Sequence, residues 1–97
     1  MNLYLLKRLD SIDYDDYDSC IVCAIDNDDA RTIHPSEFVT HIKESKWMGT
    51  YQNGGEYECS DYGWPNHDEY DCIEITLLGI ADSNVKRGCI IGSYNAG

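Results

Sequence analysis

Four stretches of the chain carry an apolar pattern that reads as β-strand. Residues 3–8 (LYLLKR) alternate, with Leu3, Leu5 and Lys7 on one side and Tyr4, Leu6 and Arg8 on the other. Residues 19–25 (SCIVCAI) are apolar on both sides, which predicts a strand in the middle of a sheet. Residues 72–78 (CIEITLL) set Ile73, Ile75 and Leu77 against Glu74 and Thr76, the pattern of a strand with one face on the core and the other partly wet. Residues 89–94 (CIIGSY) close the set, and Gly92 within them marks a bulge or a close approach.

The segments between these strands are polar. Residues 10–18 hold five aspartates with Tyr14 and Tyr17, a composition that favours neither helix nor strand. After the second strand, Asp26 or Asn27 can cap a short helix whose first turn carries Asp28 and Asp29. Pro35 ends it and makes His34 a break; Ser36 then opens a further segment through Glu37, Phe38, Val39 and Ile42, with Phe38 and Ile42 spaced to share a helical face. Residues 47–70 show no sustained period, but Asn53, Gly54 and Gly55 form a turn signal for a hairpin between residues 49–52 and 56–59. Residues 82–88 read as a polar turn. These elements predict a single α+β domain over residues 1–97: a mainly antiparallel sheet of about four strands, one or two short helices on one face, and a long aromatic loop or hairpin insertion.

Charge narrows the function classes. Seven basic against 18 acidic side chains give a net charge of −11. That balance excludes ordinary nucleic-acid and anionic-membrane binding, which require cations to displace counterions from phosphates. No apolar run approaches the roughly 20 residues of a membrane helix, and no signal-peptide order is present, so a cytoplasmic location is expected. There the five cysteines stay as thiols.

Metal and catalytic patterns are weak. Cys20-x-x-Cys23 has zinc-like spacing, but residues three apart on a strand point to opposite faces. Cys59, His67 and Cys72, with His34 or His41, are the other candidate zinc set, and nothing in the spacing fixes its geometry. The aspartate runs lack the oxygen-ligand spacing, glycine and closing glutamate of an EF-hand calcium loop. Cys59 or Ser93 with His34 or His67 are candidate nucleophile and base, without a signature that pairs them. The reading is therefore of a protein that is not an enzyme and uses no cofactor or metal, with hydrolysis of a nucleotide signal as the enzymatic alternative.

The opening YLLKR, the loop YDDYDS, the pairs AR at 30–31 and HP at 34–35, and the ending GCIIGSYNAG resemble a group of small phage-encoded proteins. The likeness covers both ends of the chain and little of its middle, and Tyr94 stands where that pattern has Phe. It implies a phage origin, an infected bacterial cell as the setting, and counter-defence work, without supplying a reaction.

Aromatic residues supply the binding hypothesis. Tyr14, Tyr17, Trp47, Tyr51, Tyr57, Tyr62, Trp64 and Tyr70 fall mostly outside the four strands, and aromatic faces stack on bases for roughly 1 to 3 kcal/mol each. The expected ligand-binding residues are Arg8, Tyr14, Tyr17, Arg31, His34, Trp47, Trp64, Ser93 and Asn95, with Arg8, Tyr14 and Tyr17 as the favoured end. The expected function is sequestration, without catalysis, of a small nucleotide immune signal of the cyclic ADP-ribose or cyclic-oligonucleotide kind. The rival is an acidic nucleic-acid mimic that blocks a host defence complex, in anti-CRISPR or anti-restriction fashion. An apolar central strand in so small a domain also points to a homo-oligomer.

Overall fold

The computed structural model describes residues 1–10, 15–59 and 63–95. Among them seven strands form two antiparallel sheets. The larger contains β1 (Asn2–Arg8), β2 (Asp16–Ala24), β6 (Ile73–Ile80) and β7 (Gly88–Asn95), in the order β6-β1-β2-β7. The smaller contains β3 (His41–Lys43), β4 (Lys46–Thr50) and β5 (Glu56–Glu58), in that order. The helix α1 (Asn27–Ala30) follows β2, and a 3-10 turn over Tyr70–Cys72 precedes β6.

Alternation decides which side of the large sheet is covered. Tyr4 and Leu6 pair with Val22 and Cys20 and are buried with them; Leu3 and Leu5 pair with Cys23 and Ile21 on the other face. The doubly apolar run is central, as its pattern implies, and Cys20 and Cys23 lie on opposite faces. Across the covered face come Ala30 and Ile33, then Trp47, Cys59 and Trp64 from the second sheet and its flanks, so the two sheets close on one core. The sequence therefore spends both tryptophans on packing.

Local chemistry explains the helix. Asp26 is extended and its Oδ1 accepts the Asp29 amide at 2.8 Å, leaving Asp28 and Asp29 in the first turn where the dipole favours them. The expected second helix at 36–42 does not form. Ser36 Oγ accepts the Phe38 amide and Ser36 O the Val39 amide, which completes a single turn, and Ile42 enters β3 instead. Phe38 consequently stays exposed.

The expected antiparallel sheet of four strands is present, and a second sheet of three strands accompanies it. β3 and β4 are joined by Glu44 and Ser45, both at positive φ (52° and 63°), the geometry of a tight hairpin turn without the usual Asn or Gly. β4 and β5 form the hairpin expected around Asn53–Gly55, with Gly54 at φ 90°. Thus much of the anticipated aromatic insertion is a small sheet; residues 60–62 lie outside the described part. β2 begins at Asp16, so Tyr17 belongs to the strand and not to the acidic loop. Gly92 marks a close approach: a Cβ there would stand 3.0 Å from the Tyr17 ring and 3.3 Å from Pro35. Among the described residues no helix is long and apolar enough to cross a membrane.

Candidate functional site

The two edges of the large sheet have different surroundings. Along β7 runs the segment 32–41, and between them lies a groove of about 350 Å³ bordered by Thr32, His34, Ser36, His41, Arg87 and Gly92. At its Gly92 end Pro35 packs close against the strand, where any larger side chain would crowd it.

Arg87 guards one end. Its Nε lies 3.1 and 3.0 Å from the two Asp29 carboxylate oxygens, and Nη2 donates to Asp29 Oδ1 at 2.8 Å and to Thr32 Oγ1 at 2.8 Å. Asp29 Oδ2 also accepts the Ile25 amide. The guanidinium beside it holds the Asp29 carboxyl below its ordinary value. Since Arg87 is still half-exposed, its remaining nitrogen Nη1 can meet a ligand in a fixed orientation.

His34 forms part of the inner wall. It is only 6% exposed, and its Nδ1 accepts the Ser36 amide at 2.9 Å, which assigns the proton to Nε2. Trp47 and Trp64 stand edge-on to the ring at centroid distances of 5.1 and 6.5 Å. Burial pulls the imidazole down to about 3. It is therefore a neutral hydrogen-bonding group at physiological pH, and its pKa is far from the range that suits a general base.

The expected site residues fall into two groups. Arg31, His34, Trp47 and Trp64 come together around the core: Arg31 borders a narrow 20 Å³ cleft with both tryptophans, and Trp47 Nε1 donates to Pro65 O at 2.9 Å. Both indoles are buried, so their faces meet protein and not a base. Arg8, Tyr17, Ser93 and Asn95 meet at the other end, where Tyr17 pairs with Tyr94 and Asp16 with Asn95. Tyr14 lies outside the described residues.

Arg8 has a different task from the one expected. Its side chain is only 8% exposed; Nε and Nη2 fork onto Asp10 at 2.7 and 3.0 Å, and Nη1 donates to Gly63 O at 3.2 Å with Asp16 3.6 Å away. These partners occupy the guanidinium that a phosphate would need. Arg8 clips the end of β1 to the start of β2 and to residue 63, and Tyr17 adds its amide to the same Gly63 oxygen.

Arg87 is one of the few cations that the sequence offers for phosphate contact, together with Arg8, Arg31 and Lys86, but it stands outside the expected ligand-binding residues, and the groove it borders was not expected. A cation next to a glycine-containing strand was visible, but its partner Asp29 is 58 residues away. Among the described residues no group of three His, Cys, Asp or Glu side chains could hold a metal ion. Comparison with protein-family models, curated proteins and solved structures finds no match for this chain.

Proposed function

We propose that this protein is a non-catalytic binding protein of phage counter-defence, acting in the cytoplasm of the infected cell. On this reading it sequesters a small nucleotide signal, of the cyclic ADP-ribose or cyclic-oligonucleotide kind, in the groove between residues 32–41 and β7. The observation that carries the reading is the groove itself: about 350 Å³, inside the range of small-molecule sites, with a carboxylate-oriented arginine at one end. Hydroxyls of Thr32 and Ser36 and the outer edge of β7 supply further polar contacts, while Val39 and Ile90 supply apolar wall. Phosphate contact falls to Arg87, because the Arg8 side chain is only 8% exposed with all three of its nitrogens engaged, whereas Arg87, although paired with Asp29, is half-exposed and keeps Nη1 for a ligand. Of the two histidines that border the groove, burial holds His34 far below the range that suits a general base, and His41 has its ring nitrogens engaged by Thr40 and Glu56; this supports binding without catalysis.

The test uses purified protein incubated with cyclic ADP-ribose and with cyclic di- and trinucleotides, then washed and heated. Retention followed by release of intact nucleotide is expected. Arg87→Ala should weaken retention at least tenfold while costing only about 1 kcal/mol of stability, as for a partly exposed ion pair. Retention of none of these compounds would sink the reading, and release of degraded nucleotide would make the protein an enzyme.

A second reading, the acidic mimic, is favoured by one specific observation. Asp10, Asp15, Asp26, Asp28, Glu58, Asp68 and Asp71 are all exposed, while both tryptophans are inside. A mimic would co-purify with a host nucleic-acid-binding complex and be released as salt rises.

A further inference from the structure

The edge of the large sheet opposite the groove is uncovered. β6 has β1 on one side and, among the described residues, no strand on the other. An edge strand presents unpaired amides and carbonyls, and proteins usually blunt such edges with lysine, proline or a covering loop. β6 has neither lysine nor proline. Its sequence IEITLLGI carries one charge in eight residues, and Leu77 and Ile80 are 60% and 86% exposed. On a chain of net charge −11 this is a nearly neutral strip, where a second copy can approach without meeting a carboxylate cluster.

We propose that two copies of this chain pair through β6, antiparallel and two-fold symmetric about Thr76, to make one continuous eight-stranded sheet. The sequence around that centre is self-complementary. Thr76 faces Thr76 of the second copy, a favourable cross-strand pair; Ile75 faces Leu77, and Glu74 faces Leu78. The two Glu74 carboxylates then stand roughly 13 Å apart, four strand residues, which exceeds the screening length of about 8 Å at physiological salt. A parallel pairing would instead bring Glu74 next to Glu74. Leu78 is the extra residue where the β1–β6 register shifts, and this bulge ends the ladder. The other edge is less open, because segment 32–41 stands alongside β7 across the groove, with Pro35 against Gly92. An interface of five residues per strand is small, so the dimer population grows with concentration.

Sedimentation equilibrium of the ligand-free protein tests this without reference to the groove. The mass should rise from the 11.0 kDa of one chain towards twice that value as concentration increases. Thr76→Lys and Thr76→Glu should each weaken association at least tenfold, because like charges then face each other across the axis, and an equimolar mixture of the two should restore it. Ile91→Lys, on an exposed residue of β7, should leave association unchanged. In the unaltered protein, amide exchange over residues 74–78 should slow as concentration rises, a readout that survives if a variant fails to fold. A chain that stays monomeric to 500 µM overturns the proposal. So does a dimer indifferent to both Thr76 variants, or one dispersed by Ile91→Lys.

Discussion

At the scale of single residues, charge and burial act through partners. His34 shows this in its titration. The ring is held at about 3 by burial, against an ordinary 6.5, so below pH 6.5 the unfolded chain takes up a proton that the folded chain refuses. Stability is therefore full above about pH 6.5 and falls as pH drops towards 3, by at most about 1.4 kcal/mol per pH unit from this group. Urea unfolding at pH 7.0, 6.0 and 5.0 should show the loss, and the His34 ring resonances should keep their neutral positions throughout. At lower pH, Asp10 and Asp29 add to it, since each is held below its ordinary value by its arginine. Arg8 carries a second residue-scale expectation. Arg8→Met removes the fork onto Asp10, the ion pair with Asp16 and one of the two donors to the Gly63 carbonyl, and should cost about 2 to 3 kcal/mol in urea unfolding, the range for hydrogen bonds to charged groups. Its pairing with Asp10 spans two residues and was there to be read; its pairing with Gly63 spans 55 and was not.

At the scale of elements, legibility followed length and burial. The four longer strands declared themselves because each must put alternate residues into a core, and Tyr4, Leu6, Cys20 and Val22 are buried as that alternation requires. The helix start was readable because capping is local chemistry between Asp26 and Asp29. The second sheet was not, because its strands are three to five residues long and too short for a period to show. Its first turn also uses Glu44 and Ser45 where Asn and Gly would have signalled it. The tryptophans were legible as aromatics but not as core, since what covers them comes from 32–36 and 63–67. Gly92 offers a check on how tightly the groove segment and β7 are packed. Gly92→Val would push its side chain into the Tyr17 ring and Pro35, so a loss of about 1 to 3 kcal/mol in thermal unfolding is expected, with a widened groove. Gly88→Ala, with open space around the added Cβ, meets no such clash and pays only for its φ of 137°.

At the scale of the whole molecule, the excess of carboxylates sets the response to salt. Eleven uncompensated negative charges on a compact chain repel one another, and most acidic side chains outside the Arg8 and Arg87 forks face solvent. Raising sodium chloride from 0.02 to 0.5 M should therefore raise the melting temperature by several degrees, because screening of this repulsion outweighs the weakening of a few exposed pairs such as Lys43–Glu56. A melting temperature that falls with salt would mean that local ion pairs dominate.

The order β6-β1-β2-β7 has a consequence in time. The two strands made first on the ribosome, β1 and β2, are the inner pair, and the two that flank them are made last. β1 waits for β6, about 70 residues later in the chain, before its second edge is closed, so the large sheet rests on contacts of long sequence separation. Loop-closure entropy must be met before those contacts return anything, which places such a topology among the slower, millisecond-to-second folders. Until residues 73–95 emerge, the hairpin of β1 and β2 has two open edges, and its apolar face depends on Ala30, Ile33, Trp47, Cys59 and Trp64 for cover. The aspartates at 10–18 and 26–29, which bracket β2 at both ends, keep that half-made hairpin charged and soluble while it waits.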